Sequence, residues 1–110
     1  MDFKSKWTLE QRIAESSRLR EKFVTRIPLV IQQGVPPIDK NKYLVPGDLT
    51  LGEFVYILRK RIKLGSEKAL FCFIDGVLPP ISKTIRELYV EHADPDGFLY
   101  LRYSLENTFG

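Results

Sequence analysis

The sequence is poor in the residues on which most catalytic and metal chemistry depends. Only one cysteine, Cys72, and one histidine, His92, occur in 110 residues. A single cysteine cannot form an internal disulfide, which suits a reducing compartment. With one histidine it supplies neither an evident nucleophile–base pair nor a metal-ligand cluster. Cys72 lies within Leu70-Phe71-Cys72-Phe73-Ile74, a setting that favours a buried structural thiol over a nucleophile. His92 reads as a helix cap or surface residue rather than a ligand. The carboxylates are numerous but scattered, and the glycines form no phosphate-binding loop after a strand. An enzyme is therefore not expected, and neither is a cofactor. A long apolar run and a signal-peptide pattern are also missing, so the expectation is a cytosolic or nuclear chain whose membrane contact arises through modification. The net charge of +3 is too small to argue for a nucleic-acid partner.

What is present suits one globular domain. The chain is 44% hydrophobic and 28% charged, long enough to bury a core without staples. Residues Met1 to Lys6 are polar and basic apart from Phe3, and read as mobile or weakly helical, with the ordered part starting at Trp7. Thr8 and Gln11 make a capping-box pattern before a helix over residues 9–23. At 100° per residue, Leu9, Ile13, Leu19 and Phe23 share a stripe, with Arg12, Arg18, Arg20 and Lys22 largely off it. Up to Arg26 the basic residues exceed the acidic ones by three. That excess reads as a solvated helix face or as a surface for acidic partners.

Ile27 to Ile31 predicts a first strand, and Pro28 within it suggests an edge position or a bulge. Val35-Pro36-Pro37-Ile38-Asp39 is a stiff link to a second strand, Lys42-Tyr43-Leu44-Val45-Pro46, which Pro46 ends. These two strands are expected to pair as a hairpin. Along the second strand Leu44 points one way and Tyr43 and Val45 the other, so both faces are apolar. Such a strand needs cover on both sides or a partner, and strand addition of an extended peptide at an edge would supply one.

Thr50 and Glu53 cap a central helix over residues 51–64, with Leu51, Phe54, Val55, Leu58 and Ile62 at helical spacing. Arg59, Lys60, Arg61 and Lys63 at its end read as complements to the helix dipole or as recognition of an anionic group. Residues 69–74 form an apolar run expected of a central strand, followed by an Asp75-Gly76 turn into Val77-Leu78. Thr84 and Glu87 cap a short helix over residues 85–90, and a last strand begins at Phe98. The order of elements predicts an α+β fold with a sheet grasping the central helix.

Lys42-Tyr43-Leu44-Val45-Pro46, Asp48-Leu49-Thr50, Arg59-Lys60-Arg61-Ile62 and Phe109-Gly110 resemble the autophagy-related protein eight family. These are the ubiquitin-like relatives of GABARAP and the microtubule-associated light chains. Leu70-Phe71, Pro79-Pro80, Leu88-Tyr89, Glu91-His92 and Phe98-Leu99-Tyr100 follow in matching order. The likeness implies a ubiquitin-like β-grasp, a four-stranded mixed sheet around a central helix with an N-terminal helical extension. On that basis residues 1–8 are a short N-terminal segment, 9–104 the ubiquitin-like domain and 105–110 a flexible conjugation tail. The chain departs from the family at Phe23-Val24-Thr25-Arg26, where a proline and an aspartate are common. Its segment before the first helix is short, and residues 32–41 are fewer than in GABARAP.

The resemblance further implies conjugation through Gly110 to phosphatidylethanolamine, carried by an activating and a conjugating enzyme, with a cysteine protease for processing or deconjugation. A chain already ending at glycine is expected where no further residues are encoded or where a mature form was made. Receptor peptides of the form aromatic-x-x-aliphatic would dock beside the second strand. The aromatic pocket would use Glu15, Leu19, Pro28, Val30, Lys42, Leu44 and Phe98. The aliphatic pocket would use Tyr43, Val45, Pro46, Leu49, Phe54 and Ile57, with partial core roles for Phe54 and Val30. Lys42 and Arg61 would pair with acidic residues flanking the ligand motif. The implied protein is a monomer, cytoplasmic, and peripheral on autophagosome or vesicle membranes when lipidated. Two other functions suit the residues: a modifier of protein lysines, or a non-covalent module for acidic partners.

Overall fold

The computed structural model describes residues 3–34, 36–65 and 67–105. Among these residues four helices and four strands follow in the order α1 (Phe3–Lys6), α2 (Leu9–Lys22), β1 (Arg26–Gly34), β2 (Lys42–Pro46), α3 (Leu51–Arg61), β3 (Phe71–Phe73), α4 (Ile85–His92) and β4 (Leu99–Ser104). The strands form one mixed sheet in the order β2-β1-β4-β3. β1 pairs antiparallel with β2 and parallel with β4, and β3 pairs antiparallel with β4.

All three capping boxes form. Thr8, Thr50 and Thr84 accept from the backbone N–H of Gln11, Glu53 and Glu87, whose side chains return the bond to the cap backbone. Each box satisfies two donors that a helix start leaves free. α3 stops at Arg61, three residues short of the expected end, and Lys63 turns to a positive φ of 56°. The Arg59 guanidinium donates to the carbonyls of Lys68 and Gly65 at 2.7 and 2.9 Å, so this cation fastens the following loop.

Alternating side chains divide the core between the two faces of the sheet. Ile27, Leu29, Ile31, Tyr43, Val45, Leu99, Leu101 and Tyr103 pack against Leu51, Phe54 and Leu58 of α3 and Ile85 and Leu88 of α4. On the opposite face, Val30 and Phe98 pack with Leu19 of α2 and Phe3 of α1, and Leu44, Phe23 and Tyr100 border that cluster. Burying each large apolar side chain contributes about 1.5–3 kcal/mol, and the larger cluster lies between the sheet and α3 with α4.

Several expectations need correction. β1 is an interior strand despite Pro28. Ladder bonds from Ile31 N–H to Asn41 O and from Gly47 N–H to Thr25 O set the bonded pairs at every second residue. Pro28, opposite Leu44, therefore falls where β2 requires no N–H, and the parallel ladder with β4 starts only at Leu29. Residues 71–73 form an edge strand instead of a central one. Asp75 and Gly76, with φ of 52° and 76°, make the two-residue turn, but only the Ile74–Val77 bridge follows it. Phe3 is not part of a loose N terminus: it is buried within α1, its ring 5.1 Å from that of Phe98, while Trp7 is 44% exposed. The α2 stripe is rotated, with Leu9 and Ile13 exposed and Ser16 and Leu19 buried. Arg12 turns inward to Asp96 at 2.6 Å, because that buried carboxylate draws the cation to the packed side.

Candidate functional site

β2 is an edge strand. Since the β1 ladder bonds β2 through Tyr43 and Val45, the main-chain groups of Lys42 and Leu44 point away from the sheet. One side chain already reaches that edge: Arg26 Nη1 donates to the Leu44 carbonyl at 3.2 Å. An incoming strand would replace this contact.

On the α2 side of the edge, Val30 of β1, Leu44 of β2, Leu19 of α2 and Phe98 before β4 come together, and Pro28 of β1 is buried opposite Leu44 in the ladder. Val30 and Phe98 are 0% exposed and Leu19 is 5% exposed, so they form a floor. Glu15 of α2 and Lys42 of β2 stand above it, joined at 2.7 Å. Arg18 adds a second contact to Glu15 at 2.9 Å. A cavity of about 340 Å³ opens beside this ion pair, lined by Glu15, Lys42, Arg18, Arg12, Gln11, Ala14, Trp7 and Phe3. Sequence reading places Glu15 and Lys42 there and misses the other six. Nothing local in the sequence marks Phe3 as the residue that brings α1 onto this face.

On the α3 side, Tyr43, Val45 and Phe54 are core residues, with the Tyr43 and Phe54 rings edge to face at 5.5 Å. Leu49 and Pro46 are half-buried, and Ile57 is 43% exposed. This side is thus a packed wall with an exposed apolar rim at Ile57. Burial raises the Tyr43 hydroxyl's pKa, and that hydroxyl has no hydrogen-bond partner among the described residues. Arg61 holds Asp39 through two bonds of 2.9 and 3.3 Å, tying α3 to the link before β2.

The remaining chemistry is structural. Burial pushes the Cys72 thiol up to about 12, far from a reactive thiolate. His92 Nδ1 lies 2.7 Å from Asp75 across the turn. Among the described residues no three His, Cys, Asp or Glu side chains converge as metal ligands would, and no helix is long and apolar enough to cross a membrane. Gly110 lies outside the described residues.

A mixed sheet of this order, clasping α3 and extended by two N-terminal helices, defines a ubiquitin-like protein. The family model described as Autophagy protein Atg8 ubiquitin like matches residues 11–110. The chain is 57% identical to Autophagy-related protein 8a of Arabidopsis thaliana, covering 98% of this chain and 92% of that protein. It is 54% identical to Autophagy-related protein 8 of Kluyveromyces lactis, covering 98% and 90%. Its structure resembles that of Trypanosoma brucei ATG8 with a TM-score of 0.91 at 38% identity, covering 100% of this chain and 98% of that one. It also resembles Plasmodium falciparum Atg8 in complex with Plasmodium falciparum Atg3 peptide, with a TM-score of 0.87 at 34% identity and coverage of 96% and 97%. The chain belongs to the Atg8 family of ubiquitin-like autophagy proteins.

The Glu15 cluster titrates in a defined direction. Hydrogen bonds from Arg18, then Lys42, lower the Glu15 carboxyl from 4.5 to about 2. A carboxylate lowered in the folded state stabilises it above the unfolded pKa, and that stabilisation fades as pH falls through the folded one. Because these side chains are partly exposed, the gain is about 1 kcal/mol or less. Urea unfolding of the wild type and Glu15→Gln is expected to differ at pH 6 and to converge as pH approaches 2.

Proposed function

We propose that this protein is conjugated through Gly110 to phosphatidylethanolamine and, held at the membrane, captures receptor peptides of the aromatic-x-x-aliphatic type by strand addition to β2. The observation that carries the peptide reading is the edge position of β2, with Leu44 bordering one apolar cluster and Tyr43 and Val45 belonging to the other. An extended ligand places residues three apart on opposite faces. Its aromatic side chain would enter between α2 and β2, displacing the Glu15–Lys42 contact, and its aliphatic side chain would rest on Leu49, Pro46 and Ile57. Lys42, Arg18 and Arg61 are the cations available to acidic residues flanking the motif.

In this reading residues 9–104 are the recognition domain, residues 1–8 its N-terminal extension and residues 105–110 the conjugation tail. Family membership supports the conjugation step. A glycine at the end of the tail has no side chain to obstruct a narrow enzyme channel; its carboxylate, activated by ATP as an acyl-adenylate with release of pyrophosphate, would pass to an enzyme thiol with loss of AMP and then to the lipid amine with loss of the thiol. The Plasmodium relative described with an Atg3 peptide supports a conjugating-enzyme partner for this chain, alongside an activating enzyme and a deconjugating cysteine protease. The resulting location is cytoplasmic, and peripheral on autophagosomal membrane once the lipid is attached.

Purified activating and conjugating enzymes with phosphatidylethanolamine vesicles should give a product cleaved by phospholipase D, and Gly110→Ala should give none. An unmodified wild type would refute lipid conjugation, and protein-linked, phospholipase-resistant conjugates from cells would favour lysine modification. For the groove, Leu44→Asp places a charge beside the aromatic floor. It should weaken binding of an aromatic-x-x-aliphatic peptide at least on the order of tenfold while the circular dichroism spectrum is unchanged, whereas retained affinity would refute the pocket assignment.

A further inference from the structure

We propose that Asp96 is a positioning residue for the aromatic side of the peptide groove, setting how deeply that side accepts a ligand's aromatic residue. The proposal rests on the groove reading above and concerns a residue outside the pocket itself. Asp96 is 1% exposed, and its groups bond to α2 on one wall of the pocket and to Phe98 and Tyr100 beneath it. Its Oδ2 accepts from Arg12 of α2 at 2.6 Å and from the Tyr100 hydroxyl at 2.5 Å. Its Oδ1 accepts from the backbone N–H of Phe98 at 2.9 Å, the ring that floors the pocket. Its carbonyl accepts from Ser16 of α2 at 2.6 Å.

The spacing on α2 gives these bonds their leverage. Arg12 and Ser16 are four residues apart and so face the same way. Glu15 and Leu19 each follow one of them by three residues, which places the pocket's rim and floor next to the tethered stripe. Two bonds to Asp96 thus fix the rotation of α2 about its axis, and that rotation sets the gap between Glu15 and Lys42. Close approach is built in at Gly97. Its φ is +91°, and a Cβ there would lie 2.3 Å from Ser16 Oγ. The loop is held independently by Lys4 on Asp94 at 2.6 Å and by the Tyr89 hydroxyl on the Gly97 carbonyl at 2.8 Å. Loss of the Asp96 carboxylate charge therefore removes the Arg12 tether and leaves α2 held at Ser16 alone, free to swing about that point without release of the loop.

The test measures affinities by calorimetry for three synthetic peptides that differ only in their cores: Trp-Ser-Ser-Leu, Ala-Ser-Ser-Leu and Trp-Ser-Ser-Ala. Wild type is compared with Asp96→Asn, Tyr100→Phe and Arg12→Lys, with thermal unfolding recorded for each. The preference for Trp over Ala at the first position should fall on the order of tenfold in Asp96→Asn, and by a smaller factor in the other two. The preference for Leu over Ala at the fourth position should stay within about twofold. A merely destabilised domain would move both preferences together, and that result, or an unchanged first-position preference, overturns the proposal. If Asp96→Asn does not fold, Tyr100→Phe and Arg12→Lys, each altering one bond to the same carboxylate, decide the question. A wild type that shows no first-position preference overturns the groove reading itself, and the positioning role with it.

Discussion

The parallel pairing of β1 with β4 is the constraint on which the arrangement depends. These strands come from opposite ends of the chain, and their side-by-side placement requires the intervening residues to cross over one face of the sheet. α3 and α4 make that cover. β2, paired to β1 through a hairpin, is left at one edge, and the three-residue β3 at the other. The second face is open without α1 and α2, so the N-terminal helices complete the second core cluster and line the cavity beside Lys42.

The two sides of β2 differ in physical character. Toward α2 the floor is apolar and fully buried, while the rim is an ion pair between two elements with a cavity beside it. A rim joined by partly exposed charges opens at small cost. Toward α3 the strand's own side chains belong to the main core, and only Leu49, Pro46 and Ile57 offer surface. An aromatic residue would thus enter a space that opens, and an aliphatic one would settle on a wall that is already formed. Arg26 on the Leu44 carbonyl shields an edge otherwise open to pairing with any other strand.

Local signals in the sequence carried much of this. Thr8, Thr50 and Thr84 with their third-residue partners located three helix starts, and the alternation of Tyr43, Leu44 and Val45 foretold that β2 faces two clusters. What remained unreadable depended on tertiary context. Pro28 suggests an edge strand until the ladder phase is known, since proline is tolerated where its nitrogen owes β2 no bond. Arg12 looks like a solvated cation because nothing near it in sequence reveals Asp96, which is buried 84 residues away. Phe3 is a lone aromatic among polar neighbours, with no periodicity to mark it as core. Family likeness grouped Leu19, Val30 and Phe98, which share a buried cluster, whereas the cavity toward Trp7 and Phe3 required the fold.

Strand addition to β2 makes a claim about its outward-facing main-chain groups, and the Leu44 amide tests it. The Leu44 amide points outward, whereas the Tyr43 and Val45 amides face the β1 ladder. Residue-resolved hydrogen exchange with and without a saturating aromatic-x-x-aliphatic peptide tests this most directly. Docking should slow exchange at Leu44 well beyond any change at Tyr43 or Val45, because Leu44, unlike those two, gains a partner. An unchanged Leu44 amide, with protection appearing on α4 or β3 instead, would contradict the account.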